Sequence, residues 1–524
     1  MFKPYMRIPF SRSLLVQNST YPILTQYHGE TSNIVEQMMR SNTAIIEGYD
    51  PVSLSIEGFT NPHRDRSHQF RLLSFQWLDP IIDARGNEEV DYFLELIWND
   101  IIRPMMALIE NSKDKIEPFF MAFHDHATAL RTMAFCKLFA LSCQEIKHEL
   151  ENYLRTCMLF LEDEAYYSGL TNHGWDQAKS LIIASHILNE PSELGLDRFR
   201  SELNHAFTKE GVHVENSPHY HIHMIDNLIY SSYLFEEQCI NEDLVKEMRI
   251  IGEGAVLFYF MIQRENKTTP LIGDSYRIPP KLNSLTSKFI EDVSKKIVFP
   301  DFKGFPESGY GIWKYQNDEK SIHLTIKNGT LSRYHRHDDD LSITLNIDGE
   351  DVFLDGGLYN YNEGGNDRIF LRSYRAHSTI VNDNDICNRI ITPRLLNEAN
   401  EQLNEFKGTS SMWNDSVYSR TITQKSPEIF VFTDIAESNS ASHLNIRFHT
   451  TGKISIEDKN VVSIICDSAI VRLYWEANQN FDISEIQVNT SKSVFSENHG
   501  VLSKSKILDI KIPYCKFQYF LQIG

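Results

Sequence analysis

The sequence has little that would anchor it in a membrane, staple it covalently or draw it to nucleic acid. Its longest apolar candidate, "AVLFYFMI" at 255–262, falls well short of the ~18 residues a bilayer-spanning helix needs, so no membrane insertion is expected. Cysteine is sparse. The seven cysteines form no CxxC pair, their number is odd and several lie in apolar runs; they read as buried thiols, not as a disulfide framework. Basic residues are outnumbered, 51 against 71 acidic, for a formal charge of −20. Such a field repels phosphate backbones, so no nucleic-acid partner is expected. The opening stretch "MFKPYMRIPFSRSLLVQNSTYPIL" has no uninterrupted apolar segment followed by a small-residue cleavage site. By that absence of a signal peptide the expected location is cytoplasmic.

What is present is the composition of an ordinary globular protein, 41% hydrophobic and 23% charged over 524 residues, long enough that two domains are expected. From 88 to about 265 apolar residues recur three and four apart, as in "DYFLELIWNDIIRPMMALIE", "ATALRTMAFCKLFALSCQEI", "WDQAKSLIIASHIL" and "HYHIHMIDNLIYSSYLFEE". That spacing predicts successive helical hairpins arranged as an array or toroid. Residues 265–305 carry much of the Pro and Gly and read as an inter-domain connection. Beyond them the period drops to two in "SIHLTIKNG", "LSITLNIDGEDVFLD", "IFVFTDI", "HLNIRFHTTGKISIE" and "VVSIICDSAIVRLYW", with Asp348-Gly349 as a hairpin signal. The expected architecture is α+β and multidomain. An N-terminal segment (1–87) packs on a helical domain (88–300), and a large antiparallel β-sandwich (301–524) follows.

The stretch "RYHRHDDDLSITLNIDGEDVFLDGG" at 333–357 concentrates side chains able to do chemistry. On a strand, His335 and His337 would share a face. If His337 converges with Asp355 and with His377, in "RSYRAHSTIV", the two imidazoles and one carboxylate suit Zn²⁺ or another borderline divalent ion. Asp338, Asp339 or Asp340 would then orient a ligating ring. Taken alone, a run such as HRHDDD is most often a solvated turn. A competing reading takes His337, Asp339 and His377 as an iron-binding 2-His-1-carboxylate set.

The helical half offers Asn172-His173 at a helix start. It also offers "VENSPHYHIHMIDNL", where Pro218 and a Ser217 N-cap fix a boundary and put Tyr220 in the first turn, near the positive end of the helix dipole. His219 and His223 share a face of that helix. "FHDHATALR" contributes His124, His126 and Arg131, the last a candidate carboxylate clamp. Singly, each has a bland structural explanation: a cap, a half-buried ring, a polar face.

In this order, "TNH", "ENSPHYH", "LIGDS", "ESGYGIWK", "YHRHDDDLSITLNIDGEDVFLDGGLYNY" and "AHSTIV" resemble the heparinase II/III family of polysaccharide lyases and its alginate-lyase relatives. The resemblance runs from about 120 to 380. It implies an incomplete α/α toroid joined to an antiparallel β-sandwich, with the active site in the cleft. It also implies that Tyr220 is the catalytic tyrosine and His335 the active-site histidine, and that Asn172 and His173 meet the substrate carboxylate. His337, Asp355 and His377 would hold a divalent metal, read as structural zinc. Arg131, His124 and Glu215 fall on the substrate side. Tyr359, Tyr361 and Tyr374 compete to supply a further cleft tyrosine, and Tyr361 is counted with the substrate residues. The implied partner is an acidic polysaccharide or oligosaccharide, with a homodimer left open. A periplasmic location is the family-based alternative to the cytoplasm.

The implied reaction removes the C5 proton of a uronic acid and expels the substituent at C4. Its enolate-like transition state requires the sugar carboxylate to be neutralised. Free tyrosine titrates near ~10, so Tyr220 is expected to be lowered by positive charge or by its helix terminus. Syn elimination through one tyrosine and anti elimination with His335 or His173 as base both remain open. A non-catalytic glycan-binding or assembly protein on the same scaffold is the alternative function.

Overall fold

The computed structural model describes residues 31–46, 48–61, 64, 66–111, 120–142, 144–382, 384–387, 396–410, 412–437, 443–476 and 482–524. The first 30 residues, on which the signal-peptide reading rests, lie outside them. No helix among the described residues is long and apolar enough to cross a membrane. The chain forms two compact units. The first comprises 1–206, 229–248 and 283–285; the second comprises 207–228, 249–282 and 286–524. The period switch near 300 is therefore not where the contacts divide. Two stretches ahead of the strands, 207–228 and 249–282, which carry the start of one helix and the end of the next, group with the β-strands.

The first unit is helical. Glu88–Ile97, a π-helical turn at Trp98–Ile102 and Arg103–Asn111 follow one another directly. Then come α1 (Asp125–Leu141), α2 (Gln144–Glu162), α3 (Asn172–Ile187) and α4 (Glu193–Ala206). Helix α3 is buried on almost every side and packs against α1, α2 and α4. Its start is built by Thr171, whose hydroxyl accepts from the Gly174 amide at 3.1 Å. Gly174 is required there because a Cβ would come within 2.3 Å of the Glu202 carboxylate.

Helices α5 (Pro218–Glu237) and α6 (Glu242–Ile262) follow, and α7 (Ser284–Ser294) lies inside the stretch read as a plain connection. In the second unit a five-stranded antiparallel sheet runs in sequence order: β1 (Phe302–Phe305), β2 (Tyr310–Gln316), β3 (Ser321–Lys327), β4 (Ser342–Ile347) and β5 (Glu350–Phe353). Asp348 and Gly349, at φ 50° and 87°, make the expected tight turn between the last two strands. An eight-stranded and a three-stranded antiparallel sheet, drawn from residues 397–523, complete the unit. Their inner faces share one core with the first sheet, through Trp313, Leu324, Leu345, Phe406, Phe432, Phe448 and Tyr519. Burial of each large apolar side chain of this kind stabilises by ~1.5–3 kcal/mol.

The alternation in β3 and β4 leads one to expect a solvated polar face, yet both strands are buried throughout. The end of α6 meets this sheet at β2 and β3. Lys314 donates to the carbonyls of Phe260 and Gln263 at 2.5 and 2.6 Å, and His323 Nε2 donates to that of Met261 at 2.8 Å. Helix C-termini leave such carbonyls without intrahelical partners, and these polar side chains satisfy them.

Candidate active site

In the second unit the loop 331–341 is held by groups far away in the sequence. The Asn216 amide donates to the carbonyls of Ser332 and Tyr334 at 2.9 and 3.0 Å and accepts from the Leu331 amide at 3.2 Å. Gly273, at φ 58°, lets its own chain approach closely; a Cβ there would lie 2.5 Å from the Asn216 carbonyl and 2.6 Å from that of His335. The HxH pair is thus not on a strand, and His335 itself has φ 54°. The two rings meet on one partner all the same. His335 Nδ1 donates to Asp274 Oδ2 at 3.0 Å, and His337 Nε2 donates to Asp274 Oδ1 at 2.9 Å. Arg368, on α8 (Asn366–Arg372), grips both oxygens of the same carboxylate, Nη2 lying 2.9 Å from Oδ2.

Ser217 caps α5 as expected, accepting from the Tyr220 amide at 3.4 Å, and its hydroxyl donates to the Asp274 carbonyl at 3.0 Å. The Tyr220 ring stacks on His335 with centroids 3.5 Å apart and planes 16° from parallel. Its hydroxyl shares a 2.7 Å hydrogen bond with that of Tyr361. Tyr361, half exposed, is the tyrosine that completes the group, whereas Tyr374 packs edge-on against Trp413. Glu215 Oε2 lies 3.3 Å from His335 Nε2 and 3.6 Å from His213 Nε2. Tyr220, His335, Glu215 and Tyr361 are therefore brought together.

Burial disfavours the imidazolium of His335, but Asp274 and Glu215 outweigh it and raise the ring's pKa. Burial would raise Glu215; His213 and His335 instead hold its carboxyl below the usual range. Tyr220 departs from expectation. Burial raises its phenol well above the ordinary value, Asp274 and Glu215 add to the rise, and the hydrogen bond with Tyr361 offsets only part. The helix N-terminus does not overcome desolvation and two nearby carboxylates. His219 is pushed down to about 4, chiefly by burial.

The proposed metal ligands sit beside this group. His337, Asp355 and His377 are fully buried. His377 is on neither strand nor helix, since the stretch read as a strand forms a 3₁₀ turn at Tyr374–Ala376 and then runs irregularly. Among the described residues no group of three or more His, Cys, Asp or Glu side chains is spaced to hold a metal ion. Even so, Nδ1 of His337 is buried without a hydrogen-bond partner, and the Asp355 carboxylate abuts Nδ1 of His377. Two buried imidazoles beside a carboxylate fit the donor chemistry of a borderline divalent ion. The carboxylate that orients His337 is Asp274 and not one of the adjacent triplet. Asp340 accepts from the Gly329 amide and the Ser410 hydroxyl at 3.2 and 3.0 Å, and burial raises Asp339 to about 6.

A second polar cluster lies within the first unit. His173 Nδ1 donates to Asp125 Oδ2 at 3.2 Å, and His124 Nδ1 lies 2.8 Å from Asp125 Oδ1. His126 stacks on His173 at 4.2 Å and donates to Asp176, which also accepts from Lys179 at 2.6 Å. Asn172 and His173 are half-buried at the start of α3. Arg131 does not join them. It is 3% exposed and donates to the carbonyls of Leu73 and Ala122 at 3.1 and 2.8 Å. Its guanidinium braces backbone inside the unit and is not presented as a clamp.

Sequence reasoning left Asp125, Asp176, Asp274 and Arg368 without a role. Asp274 lies inside the quoted "LIGDS" and Asp125 between the two histidines of "FHDHATALR", so both were within reach. Nothing in the sequence around Arg368 marks it.

Residues 299–516 match the family described as heparinase II/III-like, C-terminal. A heparin-sulfate lyase of Pedobacter heparinus is 20% identical over 415 residues, 74% of this chain and 60% of that protein. Another, from Bacteroides stercoris, is 23% identical over 242 residues, 42% of this chain and 36% of that protein. The chain thus spans 60% or less of the curated relatives it matches. Among solved structures, heparinase III superposes with a TM-score of 0.69 at 16% identity, covering 97% of this chain and 87% of that one. The heparan sulfate lyase HepC from Pedobacter heparinus gives 0.67 at 16% identity, covering 97% and 85%. The expected fold class, helical hairpins followed by a large antiparallel β part, is the one these structures share.

Proposed function

We propose that the chain, whose residues 299–516 match the heparinase II/III-like, C-terminal family, belongs to that family and is a polysaccharide lyase cleaving uronic-acid-containing glycans by β-elimination. The observation that carries this reading is the stack of Tyr220 on His335, with Tyr361 hydrogen-bonded to the same phenol. The relatives' names point to heparan-type glycosaminoglycans as the first acidic substrates to try.

In the elimination the C5–H and C4–O bonds break, a C4–C5 double bond forms, and one proton must be taken and one returned to the departing O4. Asp274 and Glu215 flank His335 and favour its protonated form, which suits it to stabilise a developing negative charge. The course proposed is syn, with Tyr220 moving the proton. The phenol is protonated in the free protein. It acts as base after releasing its proton through the half-exposed hydroxyl of Tyr361, 2.7 Å away. The stacked imidazolium then stabilises the phenolate. The test is mass balance. A lyase yields products whose masses sum to that of the oligosaccharide cleaved, whereas products heavier by one water reveal hydrolysis and defeat the reading.

His337, Asp355 and His377 would hold a divalent ion, zinc by donor type, that braces the loop carrying His335. Purified protein is then expected to contain about one such ion per chain, to melt several degrees lower after chelation, and to lose the metal in His337→Ala. Metal-free protein whose melting is unmoved by zinc or chelator would remove this part of the account.

A further inference from the structure

The reacting residues close into a ring that includes two side chains so far without a role. Asp274 receives His335 Nδ1 at 3.0 Å, His335 stacks on Tyr220 at 3.5 Å, and Tyr220 shares its hydroxyl hydrogen bond with Tyr361 at 2.7 Å. The Arg368 guanidinium sits 5.7 Å from the centroid of the Tyr361 ring and returns to Asp274 with both Nη atoms. Asp274 is 1% exposed and Arg368 3%. A buried carboxylate gripped by an Arg fork has no freedom to reorient. Its backbone is fixed as well: the Asp274 amide donates to the His335 carbonyl at 3.2 Å, and its carbonyl accepts from Ser217 at the start of the helix bearing Tyr220.

We propose that Asp274, braced by Arg368, is a positioning residue that fixes the ring plane of His335 and holds the proton on its Nδ1, and through the stack fixes the place of the Tyr220 hydroxyl. Nε2 of His335 is thereby the nitrogen turned toward Glu215. The inference rests on the lyase reading for its kinetic consequence only; the orientation of His335 is a structural claim of its own. A tilt that moves the stacked phenol by about 1 Å costs on the order of 10²-fold in turnover while leaving contacts to the rest of the sugar in place.

The test uses the full chain and two readouts. In proton NMR the parent should show a downfield imidazole N–H resonance that disappears in His335→Ala, which assigns it. In Asp274→Asn that resonance should be lost or shifted upfield, and kcat should fall by about 10²-fold with KM little changed. Because Asp274→Asn removes the buried carboxylate that Arg368 grips and leaves it only Glu363 at 3.3 Å, the double variant Asp274→Asn/Arg368→Gln, which removes both charges, provides a second background with the same expectation. Arg368→Lys, which keeps the charge and loses the fork, should give an intermediate loss of kcat. The proposal is overturned if the parent has no N–H resonance that His335→Ala removes, or if a folded Asp274 variant keeps that resonance together with parental kcat. A parent that yields no unsaturated product from any uronate would defeat the lyase reading instead, and the resonance would still decide the role of Asp274.

Discussion

At Tyr220, environment and role pull in opposite directions. A phenol buried next to two carboxylates holds its proton, and only the stacked imidazole and the second tyrosine favour letting it go. His335 is what Asp274 and Glu215 make of it, a buried ring whose pKa they raise against its desolvation. Gly273 governs how near these groups come. Its φ of 58° is costly for any residue with a Cβ, and that Cβ would collide with two backbone carbonyls, one of them His335's own. Gly273→Ala is therefore expected to destabilise the protein by ~1–3 kcal/mol and to displace His335. A thermal melt reads the first effect; melting equal to the parent's would show that the close approach carries no strain.

The start of α3 shows an element set by a single charge state. Glu202 accepts from the Thr171 amide at 3.2 Å and from the Tyr167 hydroxyl, directly ahead of Asn172 and His173. Burial raises its carboxyl from 4.5 to about 8, the two hydrogen bonds opposing the rise. The folded protein then binds a proton between these values that the unfolded chain does not. By linkage its contribution to stability is greatest below about 4.5, falls as pH rises to about 8, and is level above. Urea unfolding at pH 5 and pH 8 should show a smaller difference for Glu202→Gln than for the parent. Equal pH sensitivity in both would mean the carboxyl is ionised throughout. Elements differ in how far the sequence reveals them. The Asp348-Gly349 hairpin and the Ser217-Pro218 helix start were legible because local chemistry alone decides them. The HxH loop and the turn before His377 were not, because their alternation mimics a strand; distant groups, Asn216 and Asp274, hold the HxH loop away from one.

For the molecule as a whole, the change from a period of 3.6 to one of 2 was enough to give helices followed by a large antiparallel β part. It could not show that 207–228 and 249–282 group with the strands. That depends on the end of α6 meeting β2 through Lys314 and β3 through His323, contacts between residues more than fifty positions apart. The candidate site followed the same pattern. Residues inside contiguous motifs (Tyr220, His335, His337) are brought close together, Arg131 braces backbone where a clamp was expected because a buried brace and an exposed clamp look alike in sequence, and Arg368 came to light only in three dimensions. A net charge of −20 gives no long-range attraction for an acidic glycan, so recognition has to rest on short-range contacts.

The central claim is that Tyr220, seated on His335, removes a carbon-bound proton from a uronic acid. Its most direct measurement is the ultraviolet absorbance of unsaturated sugar ends, followed while the parent protein and Tyr220→Phe are each incubated with heparan sulfate, heparin, chondroitin sulfate and alginate. The account predicts a steady rise with at least one of these for the parent, and a rate lower by at least ~10²-fold for a Tyr220→Phe protein that melts within about 2 °C of it. Equal rates for the two proteins, or a folded parent inert on every uronate offered, would contradict it.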